Sequence, residues 1–368
     1  MKRDNIPWPS ERSIPERKWQ RPAGVRVISA DDHMQEPENL WQEKMAAKDR
    51  DRAPKLWKDA NGVLQFEAEG RSFNMPGWNP LIVEGRTGYW DLKARMKDMD
   101  AEGIDASIVF HGRAMALFSM QDKQLFIRSI DVYNEWMASL PRQSNGRLNG
   151  VAILPTIFNP EATHDYLQKL KAWGFKALEI PTAPRDVRYN ASEMEPMWKA
   201  LGEAGIPVSF HVGGSLEFRG AGSLGANITK GLQPYRPLWC MLAFSGILER
   251  HPGLKCVFTE GGASWVASAL YDADKIYRTY QTEVKPKLEN LPSYYWKRQC
   301  YATFMDDPVV FDVIDRIGED TIMWSTDYPH PESVLGESDA VLADIFERLG
   351  EERAKKVVGG NAAKLWGI

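Results

Sequence analysis

From about residue 25 to the C-terminus, short apolar runs alternate with stretches in which apolar residues recur every three to four positions. The runs VRVISAD (25–31), ASIVFH (106–111), LNGVAILP (148–155), KALEIP (176–181), PVSFHV (207–212), LKCVFTE (254–260), RQCYATF (298–304) and TIMWSTD (321–327) predict eight strands. Continuous apolar runs of this length suit parallel strands covered on both faces. The segments between them predict amphipathic helices with recognisable ends. Ser192 and Glu195 have capping-box spacing. Asn159-Pro160 and Asp307-Pro308 each place a cap residue before a proline at the first helical position. Gly174, Gly205 and Gly253 fall where helices should stop. Eight strand–helix alternations predict an α/β chain folded as a single (β/α)8 TIM barrel. No GxGxxG follows an early strand, which argues against an open doubly wound sheet.

Two connections are longer than such a barrel requires. Residues 34–90 form a long insertion after strand 1, and the Gly-rich 213–236 a shorter one after strand 5. Long loops at the strand C-termini often cover a site, so 34–90 is expected to act as a lid. Its stretch WKDANGVLQFEAEGRSF (57–73) fits a small hairpin. Residues 1–24 are rich in Pro, Arg and Trp without a period. They are expected to be an N-terminal arm, packed on the barrel or a second subunit or else frayed, leaving 25–368 as the barrel domain.

Composition narrows the class. With 368 residues, 43% of them hydrophobic and 26% charged, the chain can bury a large core. A net charge of −4 without a basic run gives no footprint for nucleic acid or an anionic membrane. Cys240, Cys256 and Cys300 show no CxxC spacing, so neither a disulfide framework nor a thiolate zinc site is expected. No apolar stretch is long enough for a membrane span, and the basic N-terminal stretch lacks the apolar core of a secretory signal. These features predict a cytoplasmic protein acting on a small molecule. A homo-oligomer is compatible with the arm and the tryptophan-rich insertions.

The polar residues at strand ends carry the chemistry. His33, His111 and His211 fall at or just past predicted strand C-termini, and His330 lies three residues past strand 8. Asp31 and His33, two apart, point to one side of their strand. Strands 5, 6 and 8 end in His211, Glu260 and Asp327 after apolar runs, where an unpaired polar group would be costly to bury. Carboxylates with imidazoles at one rim suit Zn, Mn or Fe as a divalent metal. Glu179 shares the parity of Ala177 and points inward if Leu178 and Ile180 face the helices. It then serves as a further ligand, or pairs with an arginine or caps a loop. His111 and Arg113 follow strand 2 and are substrate-binding candidates, with charge neutralisation of the rim as the alternative for Arg113. His330 is expected to orient Asp327 or touch substrate. His251, at a helix end, and His164, within a helix, read as structural and surface residues. Trp78, Trp265 and Trp324 fit a pocket wall or plain core.

SADDHMQEPENLW, FKALEIP, HVGG, HPGLKCVFTEGGASWV and MWSTDYPH together resemble the amidohydrolase-related family of the amidohydrolase superfamily, over about residues 25–368. That group includes aminocarboxymuconate semialdehyde and resorcylate-type decarboxylases as well as C–C and other hydrolases. The resemblance implies that Asp31 and His33 are the paired metal ligands of strand 1, His211 the strand-5 ligand, and Asp327 the strand-8 aspartate that binds metal and shuttles a proton. Glu260 stands where the decarboxylases carry a histidine, and Glu179 where binuclear members place a bridging ligand, so one or two ions are implied. The first expectation is therefore a hydrolase, with metal-activated water attacking a carbonyl of a small carboxylated or aromatic metabolite and Asp327 and Glu260 as catalytic groups. The bond would be C–C, ester, thioester or amide. The alternative is a non-oxidative carboxy-lyase of an aromatic or muconate-type acid, with Asp327 protonating the carbon that loses carbon dioxide.

Overall fold

The computed structural model describes residues 6–60, 63–74, 85–184, 186–212, 220–231 and 235–368. The strands are β1 (Ile28–His33), β2 (Lys55–Lys58), β3 (Leu64–Ala68), β4 (Arg71–Ser72), β5 (Ala106–Phe110), β6 (Leu148–Gly150), β7 (Ala152–Ile153), β8 (Leu178–Pro181), β9 (Val208–His211), β10 (Cys256–Thr259), β11 (Cys300–Phe304) and β12 (Ile322–Trp324). Each of the eight expected runs contains a strand. β1, β5 and β6 form one parallel sheet, and β7 to β12 a second in sequence order. Only Val151 separates β6 from β7, so this one run contributes to both sheets. At the other edge the His33 N–H donates to Tyr328 O (2.6 Å) and the Asp327 N–H to Asp31 O (2.8 Å), tying β1 to the chain just past β12. The result is a mixed α/β fold built on parallel sheets.

Alternation along the strands sorts the side chains. Ile28, Ala30, Ala106, Ile108, Ala177, Val257 and Met323 pack together on the inner face, closed from one end by Trp366 of the C-terminal helix Asn361–Trp366. The opposite parity faces the helices. Phe258 stacks on Trp296 (5.5 Å between ring centres), which meets Trp265 edge-on (5.6 Å), so Trp265 belongs to a packed aromatic layer. Trp324 is likewise fully buried. Burial of such large side chains, each contributing roughly 1.5–3 kcal/mol, fixes which face of β9 and β10 turns inward.

Several local expectations need correction. Ser192 and Glu195 form no capping box. Ser192 opens a 3-10 turn (Ser192–Met194) and its hydroxyl bonds Glu193 (3.1 Å), while Glu195 starts helix Glu195–Ala204 and pairs with Arg250 (2.8 Å) and His251 (2.9 Å). Asp307 precedes helix Pro308–Ile317 but does not cap it; its carboxylate accepts from the N–H groups of Ala263 (3.1 Å) and Ser264 (2.9 Å) in the loop after β10. In both places a tertiary partner outcompetes the local one.

The segment after β1 carries helices Leu40–Lys44 and Ala47–Arg50 and an antiparallel sheet of β2, β3 and β4. That sheet packs through Phe66 on Trp41 (5.7 Å), whose indole N–H bonds Ser129 O (2.9 Å) on helix Lys123–Met137. Trp78 and, within the Gly-rich 213–236, residues 213–219 and 232–234 lie outside the described residues, while Ser223–Gly231 form a helix. Among residues 6–24, Arg12 donates to Ser333 O (2.6 Å) and the Lys18 N–H to Asp339 (2.8 Å). Among the described residues no helix is long and apolar enough to cross a membrane.

Candidate metal centre

Three backbone irregularities gather the site. Along β1 simple alternation would turn Asp32 inward after Ile28 and Ala30. The register against β5 shifts between Ser29 and Asp32, so Asp31 and His33 take the inner side. A bulge that inserts one residue re-aims side chains in this way. After β10 alternation would place Glu260 on the outer side with Phe258; instead its φ is 73°, in the left-handed region. Asp327, past the end of β12, has φ 56°. Such conformations are costly for residues with a side chain and persist where surrounding bonds hold them. The Glu260 N–H donates to Thr303 Oγ1 (2.8 Å), and the Asp327 N–H is held by Asp31 O.

These turns bring Asp31, His33, His211 and Glu260 together, each offering a ligand atom within 4.8 Å of the others; His33, Glu260, Asp327 and His330 form a second, overlapping group. His211 Nε2 lies 3.1 Å from His33 Nε2, 3.4 Å from Asp31 and 3.2 Å from Glu260. His33 Nε2 lies 3.6 Å from Asp31 and 3.5 Å from Asp327. His330 Nδ1 lies 2.8 Å from Asp327. The outer nitrogens of the two central histidines are already used: His33 Nδ1–H donates to His111 O and His211 Nδ1–H to Val212 O, both at 2.8 Å. With both Nδ1–H groups committed, two Nε2 atoms this close are held either by a proton on one of them or by a cation that both can bind. Backbone carbonyls that fix the tautomer in this manner are the usual support of metal-binding histidines.

The carboxylates say the same. Both oxygens of Asp31, both of Asp327 and one of Glu260 are buried without a hydrogen-bond partner. Burial raises Asp31 above the usual carboxylate range. Burial, and then Asp327 and Asp31, push Glu260 well up; burial and Asp31 do the same to Asp327. Burial, then His330 and His211, hold His33 well below its ordinary value. For His211 burial opposes the charge, but the adjacent Asp31 outweighs it and lifts the group to about 9. Burial brings His330 down to about 4. A buried, unpaired carboxylate costs several kcal/mol, and a divalent cation held by either ligand group would relieve the carboxylates it contains. A mixed oxygen–nitrogen donor set suits Mn, Fe or Zn.

Glu179 is drawn into neither group. It is fully buried, and one oxygen lies 3.2 Å from His111 Nε2, while the other has no hydrogen-bond partner. His111 thus stands beside the cluster, its ring 6.2 Å from that of His33 and 6.0 Å from that of His211. Arg113 stands at the entry to the 3-10 helix Ala114–Ser119. His251 pairs with Glu195, and His164 is exposed on helix Thr163–Ala172.

Sequence reasoning passed over two residues that build the rim. Glu36 is buried and accepts from the N–H groups of Gly112 (3.2 Å), Arg113 (2.9 Å) and Ala114 (3.0 Å), fixing the loop that carries His111. Asp32 accepts from Tyr328 N–H (3.1 Å) and Ser29 Oγ (2.9 Å) and pairs with Arg95 (2.5 Å). Its signal was present in the doubled acid of ADDH, where pleat alternation sends one carboxylate to each side. A cleft of about 360 Å³ at the opposite strand ends, lined by Ile108, Ala177 and Ile368 among others, contains none of these groups.

Comparison with known proteins places the chain in a family. The chain is similar to 2-amino-3-carboxymuconate-6-semialdehyde decarboxylase of Dictyostelium discoideum, with 20% identity over 306 residues, 78% of this chain and 81% of that protein. It is similar to gamma-resorcylate decarboxylase of a Polaromonas species, with 23% identity over 295 residues, 74% and 86% of the two chains. Among solved structures, an amidohydrolase from Mycobacterium avium subsp. paratuberculosis superimposes with a TM-score of 0.74 at 20% identity, over 94% of this chain and 100% of that one. The 5-carboxyvanillate decarboxylase of Novosphingobium aromaticivorans, complexed with manganese and 4-hydroxy-3-methoxy-5-nitrobenzoic acid, does so with 0.67 at 18% identity, over 94% and 97%. The amidohydrolase family profile matches residues 78–368, well over half of the sequence, and the chain belongs to the amidohydrolase family.

Proposed function

We propose that this protein is a metal-dependent, non-oxidative carboxy-lyase acting on a small aromatic or muconate-type acid. Asp31, His33, His211 and Glu260 would hold one divalent ion, with Asp327 at its edge. Bound there, the ion supplies positive charge to the substrate carboxylate and a neighbouring oxygen. Asp327 holds the proton that the vacated carbon needs. As the C–C bond breaks, carbon dioxide leaves, the electron pair stays on carbon and takes that proton. His330, in contact with Asp327 and 22% exposed at its side chain, returns a proton from the solvent side. His111, backed by Glu179, faces the same cluster and orients the substrate, with Arg113 on the same loop as a partner for its carboxylate. The strands close into one (β/α)8 barrel in this reading, with 34–90 covering the mouth and 1–24 as an arm.

The observation that supports lysis over the hydrolysis expected from Glu260 and Glu179 is the position of Glu179. Glu179 stands outside both ligand groups and has one oxygen against His111, which favours a place beside the substrate over a bridging role between two ions. The decarboxylase relatives support the same choice. A panel of ring-hydroxylated benzoates and muconate-type acids, given to the manganese-loaded protein in deuterated water, tests it. Release of carbon dioxide, with one deuterium at the vacated carbon and loss of activity in Asp327→Asn, is expected. Turnover that instead places solvent oxygen in the product, without carbon dioxide, would reverse the assignment.

A further inference from the structure

Behind the metal cluster lies a chain of buried polar groups that touches none of its open ligand atoms. Asp32, turned outward by the bulge in β1, meets Arg95 of helix Leu92–Glu102 at 2.5 Å. Both side chains are at most 2% exposed. The Arg95 guanidinium lies over the Tyr328 ring, 3.7 Å from its centre, and Tyr328 Oη donates to Asp98 (2.6 Å), which pairs with Arg86 (2.7 Å). The other Asp32 oxygen accepts from the backbone N–H of Tyr328 (3.1 Å) and the hydroxyls of Ser29 and Thr326. Asp32 therefore grips the residues on either side of Asp327, the one whose backbone is held at φ 56°. Gly88 permits the close approach of Tyr328, since a Cβ there would run into Tyr328 Oη.

We propose that Asp32 and Arg95 are a positioning pair: they hold Asp327 in its left-handed conformation, and through it set the ion affinity of the site and the transfer of the proton. Arg95 aims Asp32, so that its other oxygen can serve three donors, from Ser29, Thr326 and Tyr328. A lysine would keep the charge but lose the flat face that covers Tyr328. The proposal rests on the reading of Asp327 as the proton donor at the edge of the ion.

The test uses Arg95→Gln, Arg95→Lys and the double variant Asp32→Asn/Arg95→Met. The double change removes both buried charges together, which costs far less fold stability than stranding one of them. Manganese affinity is read from the electron paramagnetic resonance of the free ion, and kcat and KM from carbon dioxide release. Loss of a group that orients a metal ligand weakens affinity or activity about 10- to 100-fold. The double variant and Arg95→Gln should each show this loss in manganese affinity and in kcat, with KM little changed, and Arg95→Lys should recover part of it. Wild-type manganese affinity in a folded double variant would overturn the proposal. So would a fall in Arg95→Gln that merely tracks its unfolded fraction. The affinity measurement needs no turnover, so failure of the carboxy-lyase reading alone would leave this result readable.

Discussion

Ion binding at this site should compete with protons, and His211 sets the scale. Without an ion, His211 is lifted to about 9 by Asp31, so its Nε2 carries a proton at neutral pH. That proton must leave before the nitrogen can bind a cation. The raised pKa therefore opposes binding below about 9, and the neutral fraction falls tenfold with each unit of pH. His33, held low, is already neutral through this range and adds nothing. From pH 9 to pH 7 the affinity for manganese should fall about 50-fold, equivalent to about 2.3 kcal/mol at 1.36 kcal/mol per tenfold. The raised carboxyls of Asp327 and Glu260 can only steepen the dependence. Calorimetric titration in buffers of different ionisation heat counts the protons directly, and at least one should be released per ion at pH 7. Affinity that is flat between pH 7 and 9, with no proton release, would show that His211 does not give up a proton to the ion. Saturation should also raise Tm. An ion at 100 times its Kd contributes about 2.7 kcal/mol. For 368 residues, with an unfolding entropy near 0.8 kcal/mol/K, that is a shift of about 3–4 °C.

Other perturbations follow from the same contacts. Asp307→Ala removes the acceptor for Ala263 and Ser264 N–H and should cost about 1–2 kcal/mol in urea unfolding, a value typical of a lost cap. Glu36→Ala strands the N–H groups of Gly112 to Ala114 and should cost more than about 2 kcal/mol by the same assay, since a charged acceptor is lost. Glu179→Gln should leave the metal content per chain unchanged while lowering kcat, because its contact is with His111; elemental analysis and carbon dioxide release separate the two effects.

The strand pattern was legible because each run is buried on both faces, which leaves a continuous apolar signature in the chain. Asp31, His33, His211, Glu260 and Asp327 were legible as polar residues closing apolar runs. Their convergence was not, since it depends on the shift inside β1 and the left-handed turns at Glu260 and Asp327, none of which has a local sequence mark. Glu179 shows the limit of parity: alternation turns it inward, as found, but only the neighbouring loop reveals that His111 claims it. Asp307, and Glu195 with its partners Arg250 and His251, show that cap candidates take the partner that tertiary packing brings closest. Arg95 carries no signal at all, being one basic residue among several in an ordinary helix.

The central claim, a one-ion centre built around the facing His33 and His211 nitrogens, is tested most directly by elemental analysis of the purified protein after manganese reconstitution. One equivalent per chain is expected, retained in Glu179→Gln and lost in His33→Ala and Asp31→Ala. Two equivalents, with one lost in Glu179→Gln, or no ion after reconstitution, would contradict it.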